Sequence, residues 1–361
     1  MTAQNTPTIQ MERLDRGVVA LPAASNGIFI SWRVLGTDSN DTHFTLLRNG
    51  QPVARDLRVS NYTDLAGTTN DDYQVVVLTK DGQQETTSPI KPWADLFMQI
   101  PLNRPQGGTT PDGRTYTYTP NDCSVGDVDG DGEYEIILKW DPSNSKDNSF
   151  HGYTGEVILD CYKMSGKQLW RVNLGKNIRA GAHYTQFMVY DFDGDGKAEM
   201  ICKTAPGSVD GQGRFVSEAA TEKAISQCDN QADYRTAKGR ILSGEEFLSV
   251  FRGTDGKALH TVWYNPNRNF GLGGKADYGE WGDQSYQGNR GERFLACVAY
   301  LDGADKHPSA VMCRGYYTPS YLWAVDFDGK QLKTKWLHSS LSPNDWTVTD
   351  ADGKIVKEAH G

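Results

Sequence analysis

The stretch CSVGDVDGDGEYEIILKW, residues 123–140, decides the fold, because the chain repeats it as FMVYDFDGDGKAEMICKT at residues 187–204. Both copies place an acidic, glycine-rich turn between two short apolar stretches that have the length of β-strands. A weaker third copy, FLACVAYLDGADKHPSAVMCRG, occupies residues 294–315. A unit that recurs in this way is typical of a repeat architecture.

Apolar hairpins lie between these copies. Residues 157–174, 247–264 and 321–337 each pair two apolar stretches across a glycine-containing turn. Each hairpin adds two strands to a repeated unit, and four short antiparallel strands make one blade of a β-propeller. We count three blades, whereas propellers close with about four to eight. We therefore expect residues 123–361 to form a truncated propeller that lacks its remaining blades.

The N-terminal region has a different pattern. Residues 11–95 contain stretches that alternate apolar and polar residues, with a hairpin signal at Asn49-Gly50. The positions of Trp32 and Tyr73 within these stretches suit a fibronectin type III-like β-sandwich. Residues 96–122, rich in Pro, Gly and Thr, are predicted to be a linker that packs on the propeller. The predicted fold class is all-β throughout.

Composition excludes some function classes. The chain has 361 residues, a formal charge of -9 and a pI near 5.3, which argues against a nucleic-acid partner. A local cluster of cations in a cleft can still bind an acidic substrate. No apolar run is long enough to span a bilayer, and residues 1–10 show no signal peptide. The cysteines in strand-like runs, Cys161, Cys202, Cys297 and Cys313, are predicted to be buried free thiols.

The two acidic turns have the spacing of a calcium loop. Acidic residues occupy the first, third, fifth and ninth positions of each, and the seventh residue offers its backbone carbonyl. The candidate metal ligands are Asp127, Asp129, Asp131, Glu133 (carbonyl) and Glu135 in one turn, and Asp191, Asp193, Asp195, Lys197 (carbonyl) and Glu199 in the other. An exposed Asp-Gly turn without metal is the alternative, but converging carboxylates would repel one another strongly. We predict Ca²⁺ at both turns and none at the third copy, which keeps only Asp302.

Four other stretches are rich in side chains that chemistry uses. They are ILKWDPSNSKDNS (137–149), LGKNIRAGAHYTQFMVYD (174–191), EWGDQSYQGNRGERFLA (280–296) and CRGYYTPSYL (313–322). With the acidic turns, they resemble the rhamnogalacturonan lyases of polysaccharide lyase family eleven, from about Met11 to Leu337.

The resemblance implies an eight-bladed propeller with bound calcium and a pectic polysaccharide as substrate. It implies cleavage of rhamnose–galacturonate bonds in rhamnogalacturonan I by β-elimination, in which a base removes the C5 proton and the C4 oxygen leaves. A cation that neutralises the adjacent carboxylate makes this proton more acidic. A secreted, periplasmic or cell-surface location is expected for such an enzyme.

The resemblance also names substrate-binding candidates. It places Asn121 and Asp141 in the polar wall of the cleft, although spacing alone reads them as turn residues. Further candidates, each of which can equally be a satisfied loop residue, are Arg179, His183, Tyr184, Arg290, Arg293, Arg314 and Tyr316. The family carries the groups most directly tied to elimination further along its chains. No catalytic residue is therefore assigned, and we expect little lyase activity from this chain alone.

Two other functions stay open at this point. A non-catalytic propeller stabilised by calcium would share the turns and the fold while binding carbohydrate or protein. A glycoside hydrolase would need a pair of carboxylates flanking the bond, and no recognisable pair exists outside the acidic turns.

Overall fold

The structure is a computed structural model that describes residues 9–24, 26–80, 82–268, 288–316, 319–340, 345–349 and 354–360. Strands dominate these residues, and the helical elements described are a 3₁₀ turn at Val216–Ala219 and α1 (Lys223–Ser226). The all-β prediction is confirmed. Residues 280–287 of the third polar stretch and residues 317–318 of the fourth fall outside the described residues.

The described chain divides into two compact units. One comprises Met1–Pro101 together with Gly130–Glu133, and the other comprises Leu102–Asp129 and Tyr134–Gly361. No helix among the described residues is long and apolar enough to cross a membrane.

The first unit contains two antiparallel sheets around one core. The sheets have the orders β1-β2-β5 and β4-β3-β6-β7. Their strands are β1 (Val19–Pro22), β2 (Ile28–Ser31), β3 (His43–Arg48), β4 (Gln51–Leu57), β5 (Asn61–Asp64), β6 (Tyr73–Leu78) and β7 (Gln84–Thr86). Alternate residues point inward, so Ile28 and Ile30 pack with Val75 and Val77. The predicted turn is confirmed, since Asn49 and Gly50 take the positive φ angles that a tight hairpin requires.

The second unit is a series of antiparallel sheets in which sequential strands are neighbours. A small hairpin precedes sheets with the orders β10-β11-β12-β13, β14-β15-β16-β17 and β18-β19-β20-β21-β22-β23. The strands are β8 (Gly108–Thr109), β9 (Thr115–Tyr116), β10 (Tyr118–Gly126), β11 (Glu135–Pro142), β12 (Ile158–Tyr162), β13 (Gln168–Asn173), β14 (Phe187–Tyr190), β15 (Glu199–Thr204), β16 (Phe247–Phe251), β17 (Ala258–Trp263), β18 (Phe294–Ala299), β19 (Ser309–Arg314), β20 (Tyr321–Phe327), β21 (Leu332–Ser339), β22 (Asp345–Thr349) and β23 (Ile355–His360). We refer to the last three sheets as the first, second and third sheets.

Neighbouring sheets of this unit pack face to face. Met200 of β15 lies in a core with Leu159 of the first sheet, whereas its neighbour Ile201 lies in a core with Met312 of the third. Because side chains alternate along a strand, β15 is buried on both faces. The second sheet is therefore the middle layer of a stack of three.

Two details differ from the sequence predictions. The third sheet has six strands instead of four, because β21 also pairs with β22 through Leu337 and His338. All six cysteines are free, and Cys161 and Cys202 are buried as predicted. Cys297 is exposed, because it lies on the alternate face of β18 from the buried Phe294.

Candidate functional site

The two acidic turns join the first and second strands of their sheets. In each turn three carboxylates converge, with ligand oxygens within 4.8 Å of one another. These residues are Asp127, Asp129 and Glu135 between β10 and β11, and Asp191, Asp193 and Glu199 between β14 and β15. The fold thus brings together three of the four acids that the spacing singled out in each turn.

The second turn holds its carboxylates with backbone donors. The N–H groups of Gly194 and Gly196 donate to the two oxygens of Asp191 at 2.7 and 3.0 Å. Burial raises the pKa of Glu199 to about 9, and the charge of Asp193 adds to the effect. Three crowded carboxylates of this kind stay ionised only when a cation neutralises them.

The first turn contains a buried carboxylate oxygen whose hydrogen-bonding capacity is not satisfied by the described residues. Oδ1 of Asp129 has no hydrogen-bond partner within the described part of the chain. The other oxygen, Oδ2, contacts Nζ of Lys163 at 2.6 Å, and Lys163 also reaches Glu135 at 3.5 Å. A buried unpartnered oxygen costs free energy unless a donor or a cation satisfies it. The atoms that could coordinate a metal here are carboxylate oxygens, which are hard ligands. The site therefore fits a divalent metal.

The other predicted ligands lie outside these two clusters. Asp131 and Asp195 are exposed, and their carboxylates accept hydrogen bonds from the N–H groups of Glu133 and Lys197 at 2.9 and 2.8 Å. Coordination by the Glu133 and Lys197 carbonyls stays a prediction. Asp302 of the third copy forms an ion pair with a lysine.

The raised pKa of Glu199 gives a pH test of the second turn. Without metal, the folded protein binds a proton at Glu199 that the unfolded chain releases near pH 4.5, so the metal-free protein loses stability as pH rises toward about 9. The expected loss is at most about 1.4 kcal/mol per pH unit. Metal binding requires the ionised acid, so the metal-loaded protein should not show this loss. Melting temperatures between pH 5 and pH 8, with and without chelator, should diverge as pH rises; parallel curves would contradict the assignment.

Asn121 lies at the other end of the first sheet, in a β-bulge of β10. The register between β10 and β11 shifts between Pro120 and Cys123, which leaves Asn121 and Asp122 in the bulged segment. Asn121 is exposed, and Asp122 forms a 2.6 Å ion pair with the nearly buried Lys139. Bulges redirect side chains and are common beside active sites.

Asp141 lies near the end of β11, opposite Thr119 of the bulged strand. It is half-buried, and its Oδ2 accepts a hydrogen bond from Ser145 Oγ at 2.9 Å. Six residues of extended strand separate Asp141 from Glu135, which corresponds to roughly 20 Å. The first acidic turn and Asp141 therefore lie at opposite ends of β11.

Loops from the three sheets meet at the end that carries Asp141. The Lys146 N–H donates to the Ala180 carbonyl at 3.0 Å, which links the loop after β11 to the loop before β14. The amide of Asn148 donates to the Glu292 carbonyl at 3.0 Å, which links the same loop to the segment before β18. This end of the unit is a polar surface assembled from all three sheets.

A partly exposed cluster of charges lies on this surface around Asp147. His183 Nε2 lies 3.6 Å from one Asp147 oxygen, and Arg293 lies 3.8 Å from the other. The Arg293 guanidinium also lies over the Tyr316 ring, 4.5 Å from its centroid. Burial opposes ionisation, yet hydrogen bonds from Ser149 and the charges of Arg293 and His183 hold the pKa of Asp147 below its ordinary value. The cluster thus presents a guanidinium group and an imidazole ring beside a carboxylate.

Three substrate-binding candidates lie inside the protein instead. Tyr184 is buried, and its hydroxyl accepts a hydrogen bond from Arg179, which is also buried. Arg314 is 1% exposed. Arg290 is half-buried in the segment that precedes β18. Of the predicted set, the residues with surface in contact with solvent are Asn121, Asp141, His183, Arg290, Arg293 and Tyr316.

Arg314 belongs to a buried ionic network of five side chains. Glu246 lies 2.7 Å from both Lys203 and Arg314 and 3.3 Å from Arg268. Glu292 lies 2.8 Å from both Arg268 and Arg314. Burial would raise the pKa of Glu246, but the three surrounding cations hold it well below the ordinary value. Because Arg314 joins both carboxylates, the network fixes the segment before β18 to the second sheet.

Sequence reasoning missed several members of these groups. Glu246 and Arg314 are 68 residues apart, so no local spacing connects them. Asp122 and Lys139 lie on paired strands 17 residues apart and meet only through the register. Asp147 lies in the polar stretch at residues 137–149. A charged residue among Ser and Asn in a predicted loop is the feature that could have identified it as a site residue.

Comparison with known protein families identifies the family to which this chain belongs. The model of "Rhamnogalacturonan lyase family 11, C-terminal domain" matches residues 97–355. The chain belongs to rhamnogalacturonan lyase family 11. Residues 9–93 match the model of "Rhamnogalacturonan I lyases beta-sheet domain", so both units have counterparts among these lyases.

Curated members of family 11 are close in sequence. The chain is 50% identical over 356 residues to the rhamnogalacturonan exolyase YesX of Bacillus subtilis, covering 95% of this chain and 54% of the relative. It is 51% identical over 355 residues to the rhamnogalacturonan endolyase YesW of the same organism, with the same coverage. The chain therefore spans about half the length of the curated relatives it matches.

Solved structures of family 11 lyases agree with the fold. The crystal structure of the exotype lyase YesX superposes with a TM-score of 0.82 at 46% identity, over 97% of this chain and 59% of that one. The rhamnogalacturonan lyase of Bacillus licheniformis superposes with a TM-score of 0.80 at 45% identity, over 97% of this chain and 61% of that one.

Proposed function

We propose that this chain forms part of a rhamnogalacturonan lyase that cleaves the rhamnogalacturonan I backbone by β-elimination. The observation that carries the proposal is a sequence identity of 50% to an exolyase and 51% to an endolyase, each over 95% of the chain. Because the two sequence identities are nearly equal, they support the reaction that both relatives share. They do not favour exo cleavage over endo cleavage. The proposed substrate is a pectic polysaccharide. Because this polymer lies outside the cell, the proposed location of the enzyme is secreted, periplasmic or cell-surface.

The finer architecture is part of this proposal. The three stacked antiparallel sheets of the second unit are the first blades of an eight-bladed propeller, and the first unit is a fibronectin type III-like sandwich. The metal at the acidic turns is Ca²⁺, because carboxylates at alternate positions of a flexible loop suit its high coordination number. At the first turn it is structural, since the length of β11 separates this turn from Asp141 by roughly 20 Å.

The polar end of the sheets binds the pectic chain. The exposed Asn121 and the half-buried Asp141 accept and donate hydrogen bonds along one wall. Arg293, held by Asp147 and Tyr316, neutralises a galacturonate carboxylate, which acidifies the C5 proton for removal. No described residue is assigned as the base.

The test joins this chain to the remaining part of the Bacillus subtilis endolyase. With rhamnogalacturonan I and calcium, the chimera should produce the ultraviolet absorbance of a new C4–C5 double bond, while the chain alone should produce little. Asp141→Asn in the chimera should lower kcat/KM by roughly 10- to 100-fold, the loss expected for one charged hydrogen bond to substrate.

The matched control is Asp95→Asn, an exposed acid of the N-terminal unit, which should leave kcat/KM unchanged. New reducing ends without the double bond would identify a hydrolase and overturn the proposal. Retention of the chain in gels containing the polysaccharide, with neither product from the chimera, would instead favour a non-catalytic binding protein.

A further inference from the structure

A cavity of about 300 Å³ opens beside the end of β11, in the second unit. It has room for about ten water molecules, which is the scale of one sugar ring. Its lining combines cations, a carboxylate, hydroxyl groups and an aromatic ring, in the residues Thr109, Tyr116, Thr154, Glu156, Lys176 and Arg235. None of these residues belongs to the acidic turns or to the cluster around Asp147.

The Tyr116 ring has a fixed position at the edge of this cavity. A Cβ atom added to Gly155 would lie 2.4 Å from the ring and 2.7 Å from Pro142, so the absence of a side chain there lets the ring pack against the end of β11. The neighbouring Tyr118 supports the ring edge-on, with centroids 5.6 Å apart. Since Pro142 directly follows Asp141, the cavity adjoins the proposed substrate wall.

The two cations of the cavity keep free donors. Asp233 accepts from Nε and Nη2 of Arg235 at 2.8 and 2.6 Å, which leaves Nη1 without a hydrogen bond to the described residues. Nζ of Lys176 donates once, to the Gln231 carbonyl at 2.9 Å, and an ammonium group has three protons. Both side chains can therefore donate to a ligand without breaking an existing bond.

The carboxylate of the cavity keeps a free acceptor. Oε2 of Glu156 accepts from the Asn173 amide at 2.7 Å, and Oε1 has no hydrogen bond to the described residues. The hydroxyl oxygen of Thr154 accepts from the Ala180 N–H at 3.0 Å, so its proton is available to donate. Cations beside a free carboxylate acceptor match a ligand that carries both an acid group and hydroxyl groups.

We propose that this cavity is an accessory subsite for one galacturonate residue of the pectic chain. Lys176 and Nη1 of Arg235 bind the carboxylate, Glu156 accepts from ring hydroxyls, and Tyr116 packs against the apolar face of the sugar. The identification of the sugar rests on the proposed function. The subsite adds binding energy away from the reacting bond, which raises affinity and positions the chain without taking part in elimination.

The experiment titrates this chain with D-galacturonate and with D-galactose, which lacks the carboxylate, by calorimetry. Galacturonate should bind and galactose should not. Lys176→Gln should raise the Kd for galacturonate about tenfold, the lower end of the loss expected for one charged hydrogen bond, because the site is partly exposed. Glu156→Gln should weaken binding by a smaller factor, because the amide still offers an oxygen acceptor.

The matched control is Lys167→Gln, an exposed lysine at the opposite end of β13, which should leave the Kd unchanged. Equal galacturonate binding by Lys176→Gln and the unsubstituted chain would overturn the subsite, and so would equal binding of galactose or tighter binding of inorganic phosphate. The lyase assay is independent of this result. A chimera without double-bond formation, together with Lys176-dependent galacturonate binding, would refute the proposed reaction and leave the subsite standing.

Discussion

Removal of divalent cations should lower the melting temperature of this chain by about 5 to 10 °C. Each ion at roughly 100 times its Kd adds about 2.7 kcal/mol of stability, and each kcal/mol shifts the melting temperature of a chain this long by roughly 1 to 2 °C. The physical cause is the crowding of three carboxylates in each acidic turn, which repel one another once the cation is gone. Calorimetric melting with calcium and with excess chelator measures the shift.

The two turns should contribute unequally to this shift. Asp193→Ala should remove the larger share of the chelator effect. Asp129→Ala should remove less, because Lys163 already supplies a positive charge 2.6 Å from Asp129. Asp302→Ala is the matched control, since this acid of the third copy is already paired with Lys335 and should leave the chelator effect intact. Identical melting with and without chelator would refute bound metal at both turns.

Arg314→Met should destabilise the protein by about 3 to 5 kcal/mol. The substitution keeps much of the side-chain volume but leaves Glu246 and Glu292 with one fewer cation in a site where all the charges are buried. Breaking a buried ion pair from one side is costly because the remaining charge stays desolvated. Urea unfolding followed by circular dichroism measures the change in the free energy of unfolding.

The control for this prediction is Arg214→Met, an exposed arginine that should change stability by less than about 0.5 kcal/mol. Adding Glu292→Gln to Arg314→Met should recover part of the loss, because it removes one uncompensated charge. A loss below about 1 kcal/mol for Arg314→Met alone would show that the network contributes little to stability.

Local spacing explains why the acidic turns could be predicted from sequence. The three acids of each cluster lie within nine residues, and a glycine-rich turn leaves few ways to arrange them. The strands on either side follow from the same short repeats. Stacking of the sheets then follows from runs such as MIC at 200–202, which are apolar on both faces of a strand.

The polar end of the sheets could not be derived in the same way. The bulge that carries Asn121 depends on how β10 pairs with β11, and the sequence of β10 alone does not specify that register. Arg314 was predicted as a substrate-binding candidate in a tyrosine-rich stretch, yet it is buried by partners as far as 68 residues away. Charged residues are a poor guide to exposure when a network of opposite charges forms only in the folded chain.

The hydrogen bond from the Ala198 N–H to the Asp127 carbonyl, at 2.7 Å, has a thermodynamic consequence for the acidic turns. Ala198 precedes Glu199 in one turn, and Asp127 begins the other, so ordering either turn restrains the main chain of its neighbour. We therefore expect ion binding at the two turns to be cooperative. By reciprocity, the factor by which the first ion raises the affinity for the second would equal the factor by which the second raises the affinity for the first. The pair should respond to the concentration of a divalent cation more steeply than two independent turns would.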